Sequence, residues 1–133
     1  MPKFQFNKLV RDGMLAMYER IGQKAKYRKL SKAEHTKALT EKIIEETLEL
    51  STHEAEGQEV IDEIADIQQA LDDLKSLHSI SDDQVAKAQT IKKDKKGGFA
   101  KGFFVETLEL EDGDEWVSYY RREPKKYPEL KDD

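Results

Sequence analysis

The sequence contains no cysteine, only three prolines and a single tryptophan in 133 residues. Without cysteine, a disulfide scaffold, a zinc finger and thiol catalysis are excluded, and a reducing cytoplasm is the expected compartment. Long hydrophobic runs are also missing, so no segment approaches the roughly 20 apolar residues that span a bilayer. The first twelve residues lack the apolar core of a signal peptide. The sequence therefore predicts a cytoplasmic protein with no membrane partner.

Charged residues, by contrast, make up 38% of the chain and exceed the hydrophobic residues at 37%. This balance disfavours a large parallel sheet, because the buried strands of such a sheet read as continuous runs of valine, isoleucine and leucine. The length suits one domain with its own core and is too short for two. A net charge of −5 disfavours a nucleic acid polymer as the main partner.

Acidic and basic residues are segregated along the chain. Residues 41–73 are dense in aspartate and glutamate, with Lys42 as the only base, whereas residues 92–101 are rich in lysine. Such blocks are typical either of two solvated faces or of a cation site beside an anion site, so the residue spacing has to decide.

Helical spacing dominates the first hundred residues. Residues 12–21 have an apolar helical face that ends at Gly22. Ser31 and Glu34 form a capping-box pair, so a second helix is expected to begin there and to run to about residue 53 or 54. A third helix is predicted over residues 58–77 from a seam of apolar residues at steps of four and three. The seam consists of Val60, Ile64, Ile67, Leu71 and Leu74.

The end of the chain has a different character. Ser81 and Gln84 form another capping-box pair, which starts a fourth helix that ends at Gly97-Gly98. Residues 103–110 and 116–122 are rich in β-branched and aromatic residues around a turn-like segment, which predicts a C-terminal β-hairpin over about residues 103–122. Residues 123–133 are expected to form an exposed or disordered tail. The predicted fold is therefore all-α with a C-terminal β-hairpin, in a single domain over residues 1–122.

Carboxylates lie beside the apolar stripe of the second and third predicted helices. Glu46 and Glu49 lie about 60° and about 120° to one side of the stripe of the second helix. Glu63 and Asp66 lie at the same angles, on the same side, of the seam of the third helix. Two helices paired through these stripes would bring the four carboxylates together at the margin of their shared core.

Electrostatics leaves two interpretations of this quartet open. Like charges four residues apart, such as Glu45 with Glu49, each cost a few tenths of a kcal/mol in an exposed helix. A partly buried cluster costs more unless a cation neutralises it, and hard divalent cations with oxygen ligands, Mg²⁺ first and Mn²⁺ as a substitute, suit that role. Acidic helices are also common as solvated surfaces. The spacing therefore permits either a cation site or a solvated acidic face.

A di-iron carboxylate bundle is the competing metal centre on the same architecture. It needs Glu-x-x-His on two helices, whereas His53 follows Glu49 at i+4 and His78 has no acidic residue at the required distance. Di-iron chemistry is therefore disfavoured. For His53, a place behind the metal ligands and a solvent-facing position both stay open.

Four stretches of the sequence resemble one family. Residues 42–50 (KIIEETLEL) and 62–66 (DEIAD), with 13 residues between Glu49 and Glu63, resemble the Glu-x-x-Glu and Glu-x-x-Asp motif of the MazG-like all-α nucleoside triphosphate pyrophosphohydrolases. Residues 7–12 (NKLVRD) resemble the opening of a small branch of that family. Residues 95–102 (KKGGFAKG) resemble its Gly-Gly-Phe segment. The four elements cover residues 7 to about 105 in the family's order.

The chain also departs from the family pattern. Gly13-Met14 stands where Lys-Ile-Pro is usual, and Asp62 stands where a second Glu is common. The predicted hairpin is not part of the pattern, so substrate preference does not carry over from the resemblance.

The resemblance implies a bundle of four to five helices that assembles as a homodimer or homotetramer. It implies Mg²⁺-dependent hydrolysis of a nucleoside triphosphate to the monophosphate and pyrophosphate, with noncanonical nucleotides as the substrates of many house-cleaning members. The family role and the spacing together assign the quartet as the metal ligands, namely Glu46, Glu49, Glu63 and Asp66. Glu45 is expected to be a further ligand or the base that orients water.

Basic residues are expected to hold the triphosphate. Lys93 and Lys96 precede the Gly97-Gly98 break, where main-chain amides can approach phosphate closely. Lys8 and Arg11 belong to the family-like opening and are predicted to bind substrate or to lie at an interface. Ion pairs of these two residues with Asp12 or with the acidic helices are the alternative.

Two other functions stay open at this point. One is a non-catalytic helical module that binds a nucleotide or a protein, which the altered Gly13-Met14 opening favours. The other is phosphoribosyl-ATP pyrophosphohydrolase, which the extra hairpin and the Lys-Leu-Val-Arg-Asp opening disfavour.

Overall fold

The computed structural model describes residues 1–52 and 56–131, and within these ranges it contains five helices and no strand. The helices are α1 (Met14–Arg20), α2 (Lys32–Thr52), α3 (Gln58–Leu77), α4 (Asp82–Lys96) and α5 (Trp116–Arg121). The predicted all-α class is therefore confirmed. None of these helices combines the length and the hydropathy that a membrane-spanning segment needs.

Both capping-box predictions are confirmed. The Glu34 backbone N–H donates to Ser31 Oγ at 3.2 Å, and the Ser31 N–H donates back to Glu34 Oε1 at 3.2 Å. At the start of α4 the Gln84 N–H donates to Ser81 Oγ at 3.1 Å, and the Ser81 N–H donates to Gln84 Oε1 at 2.8 Å. These contacts satisfy backbone donors that the first helical turn leaves unpaired. The predicted end of α4 is also confirmed, since Gly97 follows it with φ +81°.

The core lies between α2 and α3, which form the one helix pair with extensive contact in the described part of the chain. Leu39 of α2 and Ala70 of α3 are its buried apolar residues, and Glu46 of α2 is buried with them. The packing of these two helices therefore brings their carboxylates face to face. The assembly of four to five helices into a bundle stays a prediction.

The predicted C-terminal β-hairpin is wrong. Residues 103–110 form no regular secondary structure, and the second predicted strand is helix α5. Asp114 Oδ1 accepts a hydrogen bond from the Trp116 N–H at 2.8 Å and so favours the start of α5. Tyr119 and Tyr120 follow Trp116 at helical steps of three and four, and the Trp116 and Tyr119 ring centroids lie 5.4 Å apart. Ring contacts at helical spacing within α5 therefore outweigh the β propensity of these residues.

By its contacts the chain divides into two compact units, Met1–Lys95 and Lys96–Asp133. The first holds α1 to α3 and nearly all of α4. In the second, the described part of the predicted tail is largely exposed, but some of its residues contact α5. The Tyr127 ring lies 4.9 Å from that of Tyr120, and Arg121 Nε donates to Glu129 Oε1 at 2.6 Å. The single-domain boundary at residue 122 stays a prediction.

Candidate metal centre

Three carboxylates converge where α2 packs on α3. One oxygen each of Glu46, Glu63 and Asp66 lies within 4.8 Å of the others. Glu46 is only 6% exposed, and the other two residues are half-buried. Three carboxylate oxygens at this spacing can hold a metal ion, because one cation can contact them all and neutralise their mutual repulsion.

Glu63 has the least satisfied side chain of the three. Its Oε2 atom is buried and has no hydrogen-bond partner in the described residues. The pKa of Glu63 is raised to about 7, first by the hydrogen bond that its protonated form makes to Glu46, then by burial, and then by the charges of Glu46 and Glu49. Two ionised carboxylates have no proton to share, so the metal-free cluster favours either a proton on Glu63 or a cation beside it.

Glu49 and Glu45 lie at the edge of this group. Glu49 is close enough to Glu63 for its charge to raise the pKa of that residue, but it is not one of the three whose oxygens converge. Glu45 faces bases instead, with Oε1 3.7 Å from Lys8 Nζ and Oε2 3.9 Å from Lys42 Nζ. The predicted quartet is therefore found as a convergent trio with Glu49 adjacent.

Two basic side chains partly neutralise the trio. Arg11 Nη2 donates to Asp66 Oδ1 at 2.6 Å, and Lys42 Nζ lies 3.2 Å from Glu46 Oε1. The Arg11 contact is the ion pair with the acidic helices that stood as the alternative to substrate binding. Lys42 was not predicted as a site residue, although its spacing of three and four residues from Glu45 and Glu46 carried the signal.

The lysines predicted to bind the triphosphate lie on the last turn of α4. Lys93 belongs to the first compact unit and Lys96 to the second. Neither makes a side-chain hydrogen bond or an ion pair within residues 1–52 and 56–131. Their role stays a prediction, and His53 lies outside the described residues.

No protein-family model, no curated protein and no solved structure matches this chain. The likeness to MazG-like enzymes therefore rests on the sequence motifs quoted above, and the activity is a proposal.

Proposed function

We propose that this chain is a Mg²⁺-dependent nucleoside triphosphate pyrophosphohydrolase with a house-cleaning role toward noncanonical nucleotides. The observation that carries the proposal is the convergence of Glu46, Glu63 and Asp66 from two packed helices, with oxygens within 4.8 Å. The same residues occupy three of the four acidic positions of the Glu-x-x-Glu and Glu-x-x-Asp motif, which supports the reaction class.

The residues present fit a hard divalent cation. The donor atoms are all carboxylate oxygens, which Mg²⁺ and Mn²⁺ prefer. The buried, unpartnered Glu63 Oε2 lacks the contact that a cation would supply. Glu46, Glu63 and Asp66 would hold the ion, and Glu49 would complete the set from the next turn of α2.

An ion held by these carboxylates would neutralise phosphate charge and would lower the pKa of a water molecule toward neutral pH. Glu45, which lies between Lys8 and Lys42, is a further ligand or the base that orients the attacking water. Attack at the α-phosphorus forms one phosphorus–oxygen bond and breaks the bond to the oxygen that bridges the α- and β-phosphates. Pyrophosphate leaves with that electron pair, and the other product is the nucleoside monophosphate.

The charge on the triphosphate also needs basic partners. We assign this role to four residues outside the carboxylate cluster, namely Lys8, Arg11, Lys93 and Lys96. Arg11 presents a planar fork of donors that suits phosphate oxygens, whereas the lysines act as point charges. Positioning and electrostatic stabilisation then supply most of the rate enhancement.

We propose that the working form is a homodimer or homotetramer in the cytoplasm, without a membrane or nucleic acid partner. Ile44 of α2 and Ile61 of α3, each two residues before a carboxylate of the cluster, are 54% and 58% exposed. A second copy would bury these side chains, and a fully active, strictly monomeric species in analytical ultracentrifugation would contradict this assignment.

The reaction is tested by pyrophosphate release from a panel of canonical and damaged (d)NTPs together with phosphoribosyl-ATP. We expect equal amounts of monophosphate and pyrophosphate with Mg²⁺, and no release with excess chelator. Orthophosphate as the product would mean that a different bond breaks. The ranking of the panel names the substrate.

A non-catalytic binding module is the second candidate, and one observation favours it. Arg11 and Lys42 already neutralise two of the three converging carboxylates without a metal. This alternative predicts nucleotide or protein binding without turnover. A pyrophosphate signal that scales with protein concentration and disappears with chelator would exclude it.

A further inference from the structure

Arg11 reaches the metal cluster from a distant part of the sequence. It precedes α1, yet its guanidinium donates to Asp66 of α3, which lies 55 residues further along the chain, at 2.6 Å. Lys8, three residues earlier in the chain, lies with its Nζ 3.7 Å from Glu45 Oε1 of α2. The opening segment therefore places basic side chains on both helices that supply the carboxylates.

The oxygen that Arg11 occupies belongs to a group that a metal ion would also use. Asp66 is one of the three converging residues, and a guanidinium bound to its carboxylate competes with a cation for the same negative charge. The competing contact is a weak one, because the Arg11 and Asp66 side chains are 62% and 38% exposed and solvent screens exposed ion pairs. A divalent cation that contacts three carboxylates at once can therefore displace it.

We propose that Arg11 is an exchangeable counter-ion that neutralises Asp66 in the metal-free protein and binds the triphosphate once a metal replaces it there. This inference rests on the proposed function, since it assigns the order in which metal and substrate use the same site. After the metal neutralises Asp66, the guanidinium loses its anionic partner, and phosphate oxygens accept its fork of donors in bidentate geometry. Arg11 thereby couples metal binding to substrate binding.

The coupling predicts opposite effects of one substitution on two ligands. In Arg11→Gln the metal meets no competitor at Asp66, so Mn²⁺ should bind about two- to fivefold more tightly than to the unsubstituted chain. The magnesium complex of inorganic tripolyphosphate should bind about tenfold more weakly, because a charge-assisted contact to phosphate is lost. A residue that only stabilises the fold would not shift the two affinities in opposite directions.

Isothermal titration calorimetry on the full chain measures both affinities. The matched control is Arg28→Gln, which removes a different arginine–carboxylate pair, that of Arg28 with Glu34, and should change neither affinity. Arg11→Lys keeps the charge and loses the fork, so its Mn²⁺ affinity should stay near that of the unsubstituted chain. Circular dichroism verifies that each variant is folded.

A direct structural readout is the Arg11 Nε–Hε resonance in the NMR spectrum. It should shift when Mg²⁺ is added and shift again with tripolyphosphate. Mn²⁺ affinity that is unchanged or weaker in folded Arg11→Gln would overturn the proposal, and so would tripolyphosphate affinity that does not fall. If neither the unsubstituted chain nor Arg11→Gln binds Mn²⁺, the proposed metal function itself fails.

Discussion

Glu34 and Glu63 are the same residue type on two helices that pack against each other, yet their pKa values are displaced in opposite directions. Glu34, in the first turn of α2, accepts two hydrogen bonds from Arg28 at 3.2 and 2.9 Å. These contacts, together with those of Ser31, lower its pKa to about 2. Glu63, at the centre of the helix pair, faces Glu46 and has a pKa of about 7.

The difference distinguishes Glu34, whose negative charge stabilises the folded state, from Glu63, whose negative charge destabilises it. The negative charge of Glu34 is matched by a bidentate guanidinium and a helix N-terminus, both of which favour the ionised form. Near Glu63 the helices bring together further negative charge instead. Groups whose charge the folded state disfavours are concentrated at functional sites, because a ligand rather than the fold satisfies them. The centre of the helix pair is therefore where activity is expected.

The largest effect is expected from Glu63→Gln. Pyrophosphate release should fall by about 10³-fold, because loss of a metal ligand removes several kcal/mol of transition-state stabilisation. The metal-free variant should nevertheless have a higher Tm, since an uncharged amide faces Glu46 and can donate to it. A pyrophosphate assay and calorimetry with chelator measure the two effects.

Glu34→Gln is the matched control for that substitution. It should keep the activity and lower the Tm, because the amide loses the charge-assisted contacts from Arg28. Full activity of Glu63→Gln, or a lower Tm in both variants, would contradict the different roles assigned to the two glutamates.

Metal binding should offset the repulsion among the carboxylates of Glu46, Glu63 and Asp66. Mg²⁺ at ten times its dissociation constant should raise the free energy of unfolding by about 1.4 kcal/mol, since it binds the folded chain alone. The response should be retained in Glu34→Gln and lost in Glu63→Gln. Thermal denaturation with MgCl₂, against NaCl at equal ionic strength, measures it, and equal shifts with both salts would argue against a specific site.

The two glutamates should act on stability in separate pH ranges. The raised pKa of Glu63 means that the folded state retains a proton that the unfolded chain releases, so metal-free stability should fall as pH rises from about 4.5 to about 7. The lowered pKa of Glu34 has the opposite sign, and stability should fall as pH drops from about 4.5 to about 2. Urea unfolding at a series of pH values measures the free energy of unfolding in both ranges. Glu63→Gln should remove only the decrease between about pH 4.5 and about pH 7.

The smallest effect is expected at the helix cap. Ser31→Ala removes the acceptor of the Glu34 N–H and should lower the free energy of unfolding by about 1 kcal/mol with unchanged activity. Ser76→Ala, at an exposed position of α3, is the control and should not destabilise the chain. An equal loss of stability in both variants would mean that the cap contributes nothing specific.

Much of the fold could be predicted because its signals are local. The capping-box pairs, the glycine at the end of α4 and the apolar spacing of α3 each act within a few residues, and these helix boundaries agree with prediction. The C-terminal segment could not be predicted in the same way. Its aromatic residues have β propensity, but Tyr119 and Tyr120 pack against Tyr127, which lies seven to eight residues further along the chain, and this packing favours a helix instead.

The candidate site also combines features that local sequence predicts with features that depend on contacts between distant residues. Helical periodicity was sufficient to place Glu46, Glu63 and Asp66 beside the apolar stripes, because 3.6 residues per turn fixes the face on which a side chain lies. Which charges meet across helices depends on packing between residues far apart in the chain. The Arg11–Asp66 pair, the burial of Glu46 and the unpartnered oxygen of Glu63 arise only when α2 packs against α3 and the opening segment lies over them.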